Sequence, residues 1–224
     1  MMKKIYINKY KVISFDIFDT LIVRDVKDPT DVYQIIASSV LEKDGNCFRK
    51  DRIEAEKLAR ISNGGEVNLE QIYNFLEKKY EQFKQKLMEE EINYEIFHCR
   101  SRKRMHNVLN YAVSKGKRVV LISDMYLSSE VIKKMLERCG YNTANFEVYV
   151  SNEYSVDKKS GKLFEIVVDK LGIVAKDMIH LGDSIYADVL GAHKSGIRSI
   201  WIPKEKLFSR YFHKFIKTMY GRHR

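Results

Sequence analysis

Three short apolar runs of this chain each end at an acidic or hydroxyl residue, and helical segments separate them. The runs cover residues 12–15, 118–122 and 178–181, and they lead into Asp16, Ser123 and Gly182-Asp183. Strands that alternate with helices pair in parallel, with helices on both faces of the sheet. Because the carboxyl ends of parallel strands share one edge, their polar residues converge there. The pattern therefore predicts an α/β fold with a polar site at that edge.

Further strands and helices complete the predicted sheet domain. We expect strands at 146–150 and 197–201, and helices at about 105–115, 129–139, 162–171 and 185–195. Residues 25–100 differ, because helical periodicity runs through them and no strand pattern is present. The helices expected there lie at about 29–43, 49–61, 69–80 and 84–110. The prediction is therefore a sheet domain of residues 1–24 and 101–224, interrupted after its first strand by an all-helical cap domain of residues 25–100.

The carboxylates of Asp16, Asp183 and Asp188 are expected to lie together at the strand ends. Clustered carboxylates repel one another and need a cation, and an all-oxygen site open to water and phosphate suits Mg²⁺. Lys158 adds a second positive charge, and the hydroxyl of Ser123 can donate to an oxyanion. An aspartate can also attack phosphorus as a nucleophile. These residue types together indicate phosphoryl transfer.

Four segments in this order resemble motifs I to IV of the haloacid dehalogenase superfamily. They are residues 15–21 (FDIFDTL), residues 122–127 (ISDMYL), Lys158, and residues 179–192, which include Gly182-Asp183, Asp188 and Gly191-Ala192. The resemblance extends from about residue 11 to residue 201. It implies a Rossmann-like core with helices on both faces of a parallel sheet, and a helical insert that corresponds to a C1-type cap.

The resemblance implies a role for several residues of this chain. Asp16 would be the nucleophile, Ser123 the hydroxyl of motif II and Lys158 the lysine of motif III. Lys159 is the alternative lysine, and Lys158 is preferred because its spacing to Phe164 fits the family.

The resemblance also implies a metal site and candidate substrate contacts. Mg²⁺ is expected on Asp16, Asp183 and the backbone carbonyl of Phe18, with Asp188 as a further ligand or as a group behind the ligands. Thr20, Arg24 and Asp124 are candidates for substrate binding, while a surface or loop position fits Arg24 and Asp124 equally well.

Phe18 departs from the pattern of the phosphatases in this family. They carry a second aspartate two residues after the nucleophile, which protonates the leaving group and then activates water. General acid–base help of this kind is worth roughly 10²–10⁴-fold in rate. Three interpretations follow: Asp19 serves instead, the substrate has a good leaving group or supplies its own acid, or the protein is not a fast phosphatase.

Two other functions are consistent with the replacement at Phe18. One is a catalytically weak binding or scaffold module, and the other is a metal-independent dehalogenase. Dehalogenases of the superfamily also lack the second aspartate, but their fourth motif usually lacks the metal-binding Gly-Asp pair. Asp183 therefore favours the metal-dependent branch.

The residues of the first two motifs resemble those of hydrolases that are encoded beside, or fused to, glycosyltransferases for bacterial surface polysaccharides. That association suggests a small phosphorylated substrate such as a sugar phosphate, and a glycosyltransferase as partner. The expected location is the cytoplasm, since no apolar run is long enough for a membrane span or placed as a signal peptide.

The net charge of +10 lies mainly in the two ends of the chain. Residues 205–220 carry apolar and basic residues at helical spacing, which predicts a basic amphipathic helix. Such a helix can dock on the core, on an anionic membrane surface or on an acidic partner. Nucleic acid is not expected, because no recognition motif accompanies the charge.

Three further predictions concern residues outside the expected site. The cysteines 47, 99 and 139 are odd in number and far apart in sequence, which excludes a disulfide framework and suits a reducing compartment. His180 is expected to be a packed core histidine. Residues 100–104 are expected to form a solvated helix face.

Overall fold

The computed structural model describes residues 7–41 and 45–205. Its strands are β1 (Val12–Phe15), β2 (Ile22–Arg24), β3 (Cys99–Ser101), β4 (Arg118–Ser123), β5 (Phe146–Val150), β6 (Met178–Gly182) and β7 (Arg198–Trp201). Five of them form a parallel sheet in the order β5-β4-β1-β6-β7. This sheet confirms the predicted α/β fold, and its strands match the predicted positions within about one residue.

The helices follow the predicted order along the chain. They are α1 (Asp31–Leu41), α2 (Asn46–Asn63), α3 (Leu69–Tyr73), α4 (Lys84–Phe97), α5 (Lys103–Ser114), α6 (Ser129–Arg138), α7 (Ser151–Tyr154), α8 (Lys162–Leu171) and α9 (Gly191–Lys194). A π-helical turn at Ile185–Leu190 leads directly into α9. Short 3-10 helices lie at Lys78–Phe83, Thr143–Asn145 and Ala175–Asp177.

Successive residues of the central strands enter two different cores. Ile13 and Phe15 of β1 pack into one apolar cluster with α5 and α6, whereas Val12 packs into the other with α8. Side chains alternate between the faces of a strand, and helices cover both faces here. The central strands are therefore mostly apolar, apart from Ser14 and His180, which pair with each other in the core.

The segment between β2 and β3, which we call the helical insert, contains α1 to α4. Its first two helices match the prediction as far as the structure describes them, and the third is shorter than expected and is followed by a 3-10 helix. The division into sheet and cap domains at residues 25 and 100 stays a prediction.

The prediction of one continuous helix over 84–110 is wrong. The helix ends at Phe97, and residues Cys99–Ser101 form β3, which pairs antiparallel with β2. Three residues are too few for strand alternation to stand out in a sequence. The β2–β3 ribbon holds the two ends of the helical insert side by side.

A buried ion pair lies at the centre of the helical insert. Arg52 of α2 is 0% exposed and donates to both carboxylate oxygens of Glu91, at 2.8 and 3.1 Å. The Tyr73 hydroxyl also donates to Glu91, at 2.9 Å. The Arg52 guanidinium lies 4.5 Å from the ring centre of Tyr33 and 4.9 Å from that of Tyr126. Since Tyr126 follows β4, this cluster joins the insert to the sheet.

Two cysteines that are distant in sequence meet in the fold. The sulfur atoms of Cys99 in β3 and Cys139 at the end of α6 lie 3.4 Å apart, and both thiols are free. That distance is a contact between thiols and is far longer than the roughly 2 Å of a disulfide bond.

The predicted amphipathic helix at about 205–220 lies almost wholly outside the described residues, and it stays a prediction. Within the part of the chain that the structure describes, no helix combines the length and apolarity needed to cross a membrane.

We expect Arg52→Met to lower the free energy of unfolding by about 3–5 kcal/mol, because it leaves the Glu91 carboxylate buried without its cationic partner. The double variant Arg52→Met/Glu91→Gln should be less destabilised than the single variant. Urea denaturation measures both.

The matched control is Lys57→Met, because Lys57 forms an exposed ion pair with Glu54 on the same helix. Its effect should stay within about 0.5 kcal/mol. Equal losses in Arg52→Met and Lys57→Met would contradict the structural importance of the buried pair.

Candidate active site

A buried lysine holds two carboxylates together at the carboxyl end of the sheet. Asp16 follows β1, and its backbone N–H donates to the carbonyl of Leu181 at 2.8 Å. The Lys158 ammonium donates to Asp16 Oδ1 and to Asp188 Oδ1, both at 2.6 Å. Asp16 is only 5% exposed, so the lysine charge replaces much of the hydration that these carboxylates lose.

The position of Lys158 is fixed through its backbone. Its N–H donates to both carboxylate oxygens of Asp124, at 2.9 and 3.2 Å. Its carbonyl lies against Gly191, where a Cβ would come within 2.0 Å of the Lys158 oxygen. A glycine at 191 therefore lets α9 approach the lysine loop. The alternative lysine, Lys159, is exposed and is not brought to the cluster.

Asp188 is held on both of its oxygens. Besides Lys158, His180 Nε2 lies 3.2 Å from Oδ1, and the Ser184 N–H donates to Oδ2 at 2.8 Å. Gly182 makes room for this carboxylate, since a Cβ there would lie 2.2 Å from Asp188 Cγ. Asp188 therefore helps to hold the ammonium group of Lys158 in place.

His180 is buried in the core, as expected, but it is also hydrogen-bonded. Its Nδ1 lies 2.9 Å from the Ser14 hydroxyl, and its Nε2 faces Asp188. Burial lowers the pKa of His180 despite the neighbouring carboxylate, which keeps the ring neutral at neutral pH.

The three predicted carboxylates come together. Oxygen atoms of Asp16, Asp183 and Asp188 lie within 4.8 Å of one another. Asp16 Oδ2 is buried and has no hydrogen-bond partner among the described residues. Burial raises the pKa of Asp16 and of Asp183, and repulsion from Asp188 adds to both shifts, although Lys158 and Lys204 oppose them.

A divalent cation would relieve the repulsion among these carboxylates and would give the orphaned oxygen a partner. All donors in the cluster are oxygens, which is the donor set that Mg²⁺ takes. The residues present therefore fit a magnesium ion.

A second charged group lies at the rim of the site. The Lys204 ammonium lies 2.5 Å from Asp19 Oδ2 and 3.3 Å from Asp183 Oδ2. Arg102 donates to the backbone carbonyls of Asp19 and Pro203. Arg102 thereby joins the turn after Asp16 to the segment that carries Lys204.

Lys204 and Arg102 were not among the residues predicted for the site. Arg102 is only 6% exposed, so the expected solvated face over 100–104 is wrong at that position. It lies in the link between β3 and α5, where it bonds to backbone carbonyls. Lys204 follows β7, and the rule that placed Asp16 and Asp183 would have found it at the same sheet edge.

Phe18 and Arg24 form one wall of a cleft beside this rim. The Arg24 guanidinium lies 4.2 Å from the ring centre of Phe18, and its Nε donates to both oxygens of the buried Glu95. The cleft has a volume of about 270 Å³ and is lined by Phe18, Asp19, Val23, Arg24, Val26, Lys27, Pro29, Arg100, Lys204 and Glu205. Arg24 thus faces a space that a substrate can enter.

The remaining candidates lie close to the sheet edge. Ser123 is the last residue of β4 and is buried. Thr20 is fully buried, and its hydroxyl has no partner within the described part of the chain. Burial raises the pKa of Asp124 to about 6, against the opposing charge of Lys158. Since the Asp124 carboxylate binds the Lys158 backbone, its visible role is to position that lysine.

Comparison with known proteins agrees with this geometry. The sequence matches the family model of haloacid dehalogenase-like hydrolases over residues 10–196. No curated protein matches the chain.

Similar solved structures share the fold at low sequence identity. They include a 2-haloacid dehalogenase from Pseudomonas syringae pv. Tomato DC3000 (TM-score 0.61, 16% identity, covering 86% of each chain). A HAD phosphatase from Thermococcus onnurineus has a TM-score of 0.58 and 19% identity, covering 87% of each chain. The HAD-hydrolase YfnB from Bacillus subtilis, in a magnesium-bound structure, has a TM-score of 0.60 and 15% identity, covering 92% of this chain and 99% of its own.

Gly191→Ala should destabilise the protein by about 1–3 kcal/mol, because the new methyl group overlaps the Lys158 carbonyl. Alanine normally favours a helix over glycine by about 1 kcal/mol, so helix propensity alone predicts the opposite sign. Urea denaturation decides between them. His193→Ala, an exposed change on the same helix, serves as the control and should stay within about 0.5 kcal/mol.

The raised pKa of Asp124 predicts a pH dependence of stability. Between its ordinary value of 3.8 and its folded value of about 6, the folded state holds the proton more tightly than the unfolded state. Stability therefore falls as pH rises through this window, by up to about 3 kcal/mol. Denaturation curves at pH 4 to 7 should show a loss that is larger in the wild type than in Asp124→Asn by this amount, since the raised pKa values of Asp16 and Asp183 affect both proteins alike. Parallel pH profiles for the two proteins would refute the assignment.

Proposed function

The chain belongs to the haloacid dehalogenase-like hydrolases, and within that family we propose that it is a Mg²⁺-dependent phosphohydrolase or phosphotransferase. The observation that carries the proposal is the environment of Asp16. One of its oxygens is fixed by a buried ammonium group, and the other is buried beside a second carboxylate with no hydrogen-bond partner in residues 7–41 and 45–205. This environment of the Asp16 carboxylate does not suit an aspartate with only a structural role. It suits a nucleophile that lies beside a cation.

In the proposed reaction, the Asp16 carboxylate attacks phosphorus in line with the leaving group. A carboxylate–phosphorus bond forms, and the bond from phosphorus to the leaving oxygen breaks with its electron pair on that oxygen. Water then attacks the phosphorus of the aspartyl-phosphate, which releases phosphate and restores the carboxylate. In phosphotransfer, an acceptor hydroxyl replaces this water.

Two residues of the chain stabilise the charge that moves in these steps. Lys158 lies against Asp16 and offsets the negative charge of the incoming phosphoryl group. Ser123, at the end of the neighbouring strand, offers a hydroxyl donor to a phosphoryl oxygen. Burial of Asp16 excludes water until the substrate is in place.

Asp16, Asp183 and the backbone carbonyl of Phe18 are the groups that would hold the magnesium ion. Asp188 supports them from behind, since Lys158, His180 and Ser184 already occupy its oxygens. The bound ion supplies positive charge that neutralises the carboxylates and the phosphoryl oxygens.

The substrate and the partners are proposed from resemblance alone. A small phosphorylated metabolite suits a cleft of about 270 Å³, and a sugar phosphate follows from the resemblance to hydrolases of surface-polysaccharide pathways. A cytoplasmic location, and contact of residues 205–220 with a glycosyltransferase or a membrane surface, likewise stay proposals.

The alternatives differ from the proposal in what the metal does. A metal-independent dehalogenase has no need of Asp183 near the nucleophile, and here Asp183 lies in the cluster. A weak binding module would keep the cluster and bind metal without turnover, and Phe18 is the residue that motivates it.

A panel of phosphomonoesters, assayed with and without Mg²⁺, tests the proposal directly. We expect turnover that requires Mg²⁺ and falls by at least about 10³-fold in Asp16→Asn, because the variant lacks the nucleophile. Asp169→Asn, an exposed change on α8, is the control and should leave the rate unchanged.

Each alternative has its own outcome in the same experiment. Turnover that survives EDTA contradicts the metal assignment, and release of chloride from 2-chloropropionate under EDTA identifies a dehalogenase. Bound Mg²⁺ without turnover on any substrate identifies a binding module.

A further inference from the structure

The cleft lined by Phe18, Asp19 and Lys204 presents positive charge where a proton donor would be useful. Two of its lining residues are carboxylates, and both are ion-paired: Asp19 with Lys204 at 2.5 Å, and Glu205 with Arg100 at 2.9 Å. Phe18, which projects from the same turn, has no proton to give. A leaving group in this cleft therefore meets cations and an aromatic ring.

Lys204 lies between the cleft and the carboxylate cluster. Its side chain is 50% exposed and lines the cleft, while its ammonium group reaches Asp183 at 3.3 Å. Arg102 fixes the backbone on both sides of this contact, through the carbonyls of Asp19 and Pro203. Lys204 is thus held in place where the cleft meets the carboxylate cluster.

Arg24 adds a second cation to the lining of the cleft. The buried Glu95 holds its Nε, and the Phe18 ring supports the plane of the guanidinium. Neither Lys204 nor Arg24 is suited to releasing a proton, because lysine and arginine stay charged far above neutral pH. Both can stabilise a negative charge that develops next to them.

We propose that the substrate is a phosphate compound whose leaving group departs as an anion, and that Lys204 binds the departing oxygen. The shared chemistry is a phosphorus–oxygen bond to a weakly basic oxygen, as in an acyl phosphate, a phosphoanhydride or a phenolic phosphate. This inference rests on the function proposed above. It makes alkyl phosphates, including most sugar phosphates, poor substrates.

The atoms of the first step balance without a proton. The Asp16 carboxylate forms a bond to phosphorus, and the bond to the leaving oxygen breaks with its electron pair on that oxygen. Carboxylate, enolate-like, phenolate and phosphate oxygens are stable with this charge, and Lys204 offsets it. An alkoxide is too basic to leave in this way, and the missing general acid costs it roughly 10²–10⁴-fold in rate.

The experiment compares leaving groups on the full-length protein with saturating Mg²⁺. Acetyl phosphate, pyrophosphate and a series of substituted phenyl phosphates form one arm, and glycerol 2-phosphate and glucose 6-phosphate form the other. We expect kcat/KM to fall steadily as the pKa of the phenol rises, and to be about 10²–10⁴-fold lower for the alkyl esters. Acetyl phosphate, pyrophosphate and the phenyl phosphates show whether the site accepts a carboxylate, a phosphate or a phenolate as leaving group.

Phe18→Asp tests the missing proton donor, and Phe18→Asn is its matched control. The aspartate should raise kcat/KM for the alkyl esters by about 10²-fold or more and flatten the dependence on leaving-group pKa. The asparagine has the same size and no acidic proton, so it should do neither. If both variants unfold, the phenyl series on the wild type still decides the substrate class.

Lys204→Met tests the cation. It should lower kcat/KM most for the phenols of highest pKa and so steepen the series, while Lys204→Arg retains the wild-type slope. Lys176→Met, an exposed lysine away from the cleft, should change nothing. Mg²⁺ affinity is measured in parallel by calorimetry, because Lys204 also contacts Asp183.

The outcomes separate this inference from the proposed function. Equal turnover of alkyl and phenyl esters, still dependent on Asp16 and Mg²⁺, overturns the inference and leaves the function standing. An equal loss for every phenol in Lys204→Met, or a change in Mg²⁺ affinity alone, overturns the role of Lys204. Failure of both arms overturns the function as well.

Discussion

The ammonium group of Lys158 is the interaction on which the rest of the site depends. It lies between two buried carboxylates, Asp16 and Asp188, which could not share this space as anions without it. Its own place is set by a carboxylate that binds its N–H and by a glycine that makes room for its carbonyl. Asp16, Lys158 and Asp188 are thus one unit, contributed by the end of β1, the loop before α8 and the turn before α9.

The helical insert is coupled to this unit through the loop after β4. Tyr126 of that loop lies against the buried Arg52, and its carbonyl accepts a hydrogen bond from the N–H of Leu69 at 3.1 Å. Ser151 links the same loop to Glu66 of the insert. Asp124, which holds Lys158, is in this loop. The helical insert thus contacts the loop that positions the backbone of Lys158.

The sequence was informative where physical constraints are local. Buried parallel strands must be apolar and short, and polar residues that end them must converge, so the sheet and the three carboxylates could be predicted. The choice of Lys158 over Lys159 came from family spacing, and the structure brings the former to the cluster and leaves the latter in solvent.

Contacts between distant segments could not be predicted in the same way. The β2–β3 ribbon joins runs of three residues, and Arg102 bonds to backbone carbonyls that no side-chain pattern reveals. Arg52 looks like a surface residue of a helix until Glu91 is placed beside it. The contact of Cys99 with Cys139 depends on the ribbon and was equally hidden. Lys204 is the exception, since its place after β7 was available from the topology.

The β2–β3 ribbon has a consequence for how this chain can fold and how it can have evolved. The pairing of β1 with β4 must otherwise close a loop of about a hundred residues, and long closures slow folding. Once the ribbon has formed, the helical insert is a closed loop between β2 and β3. Only short segments then remain to be ordered between β1 and β4. Because both ends of the insert meet at a single antiparallel pair, the length of its helices does not set the spacing of the sheet strands. Changes in the helices can therefore leave the sheet in place, provided that Arg52 and Glu66 keep their contacts with Tyr126 and Ser151.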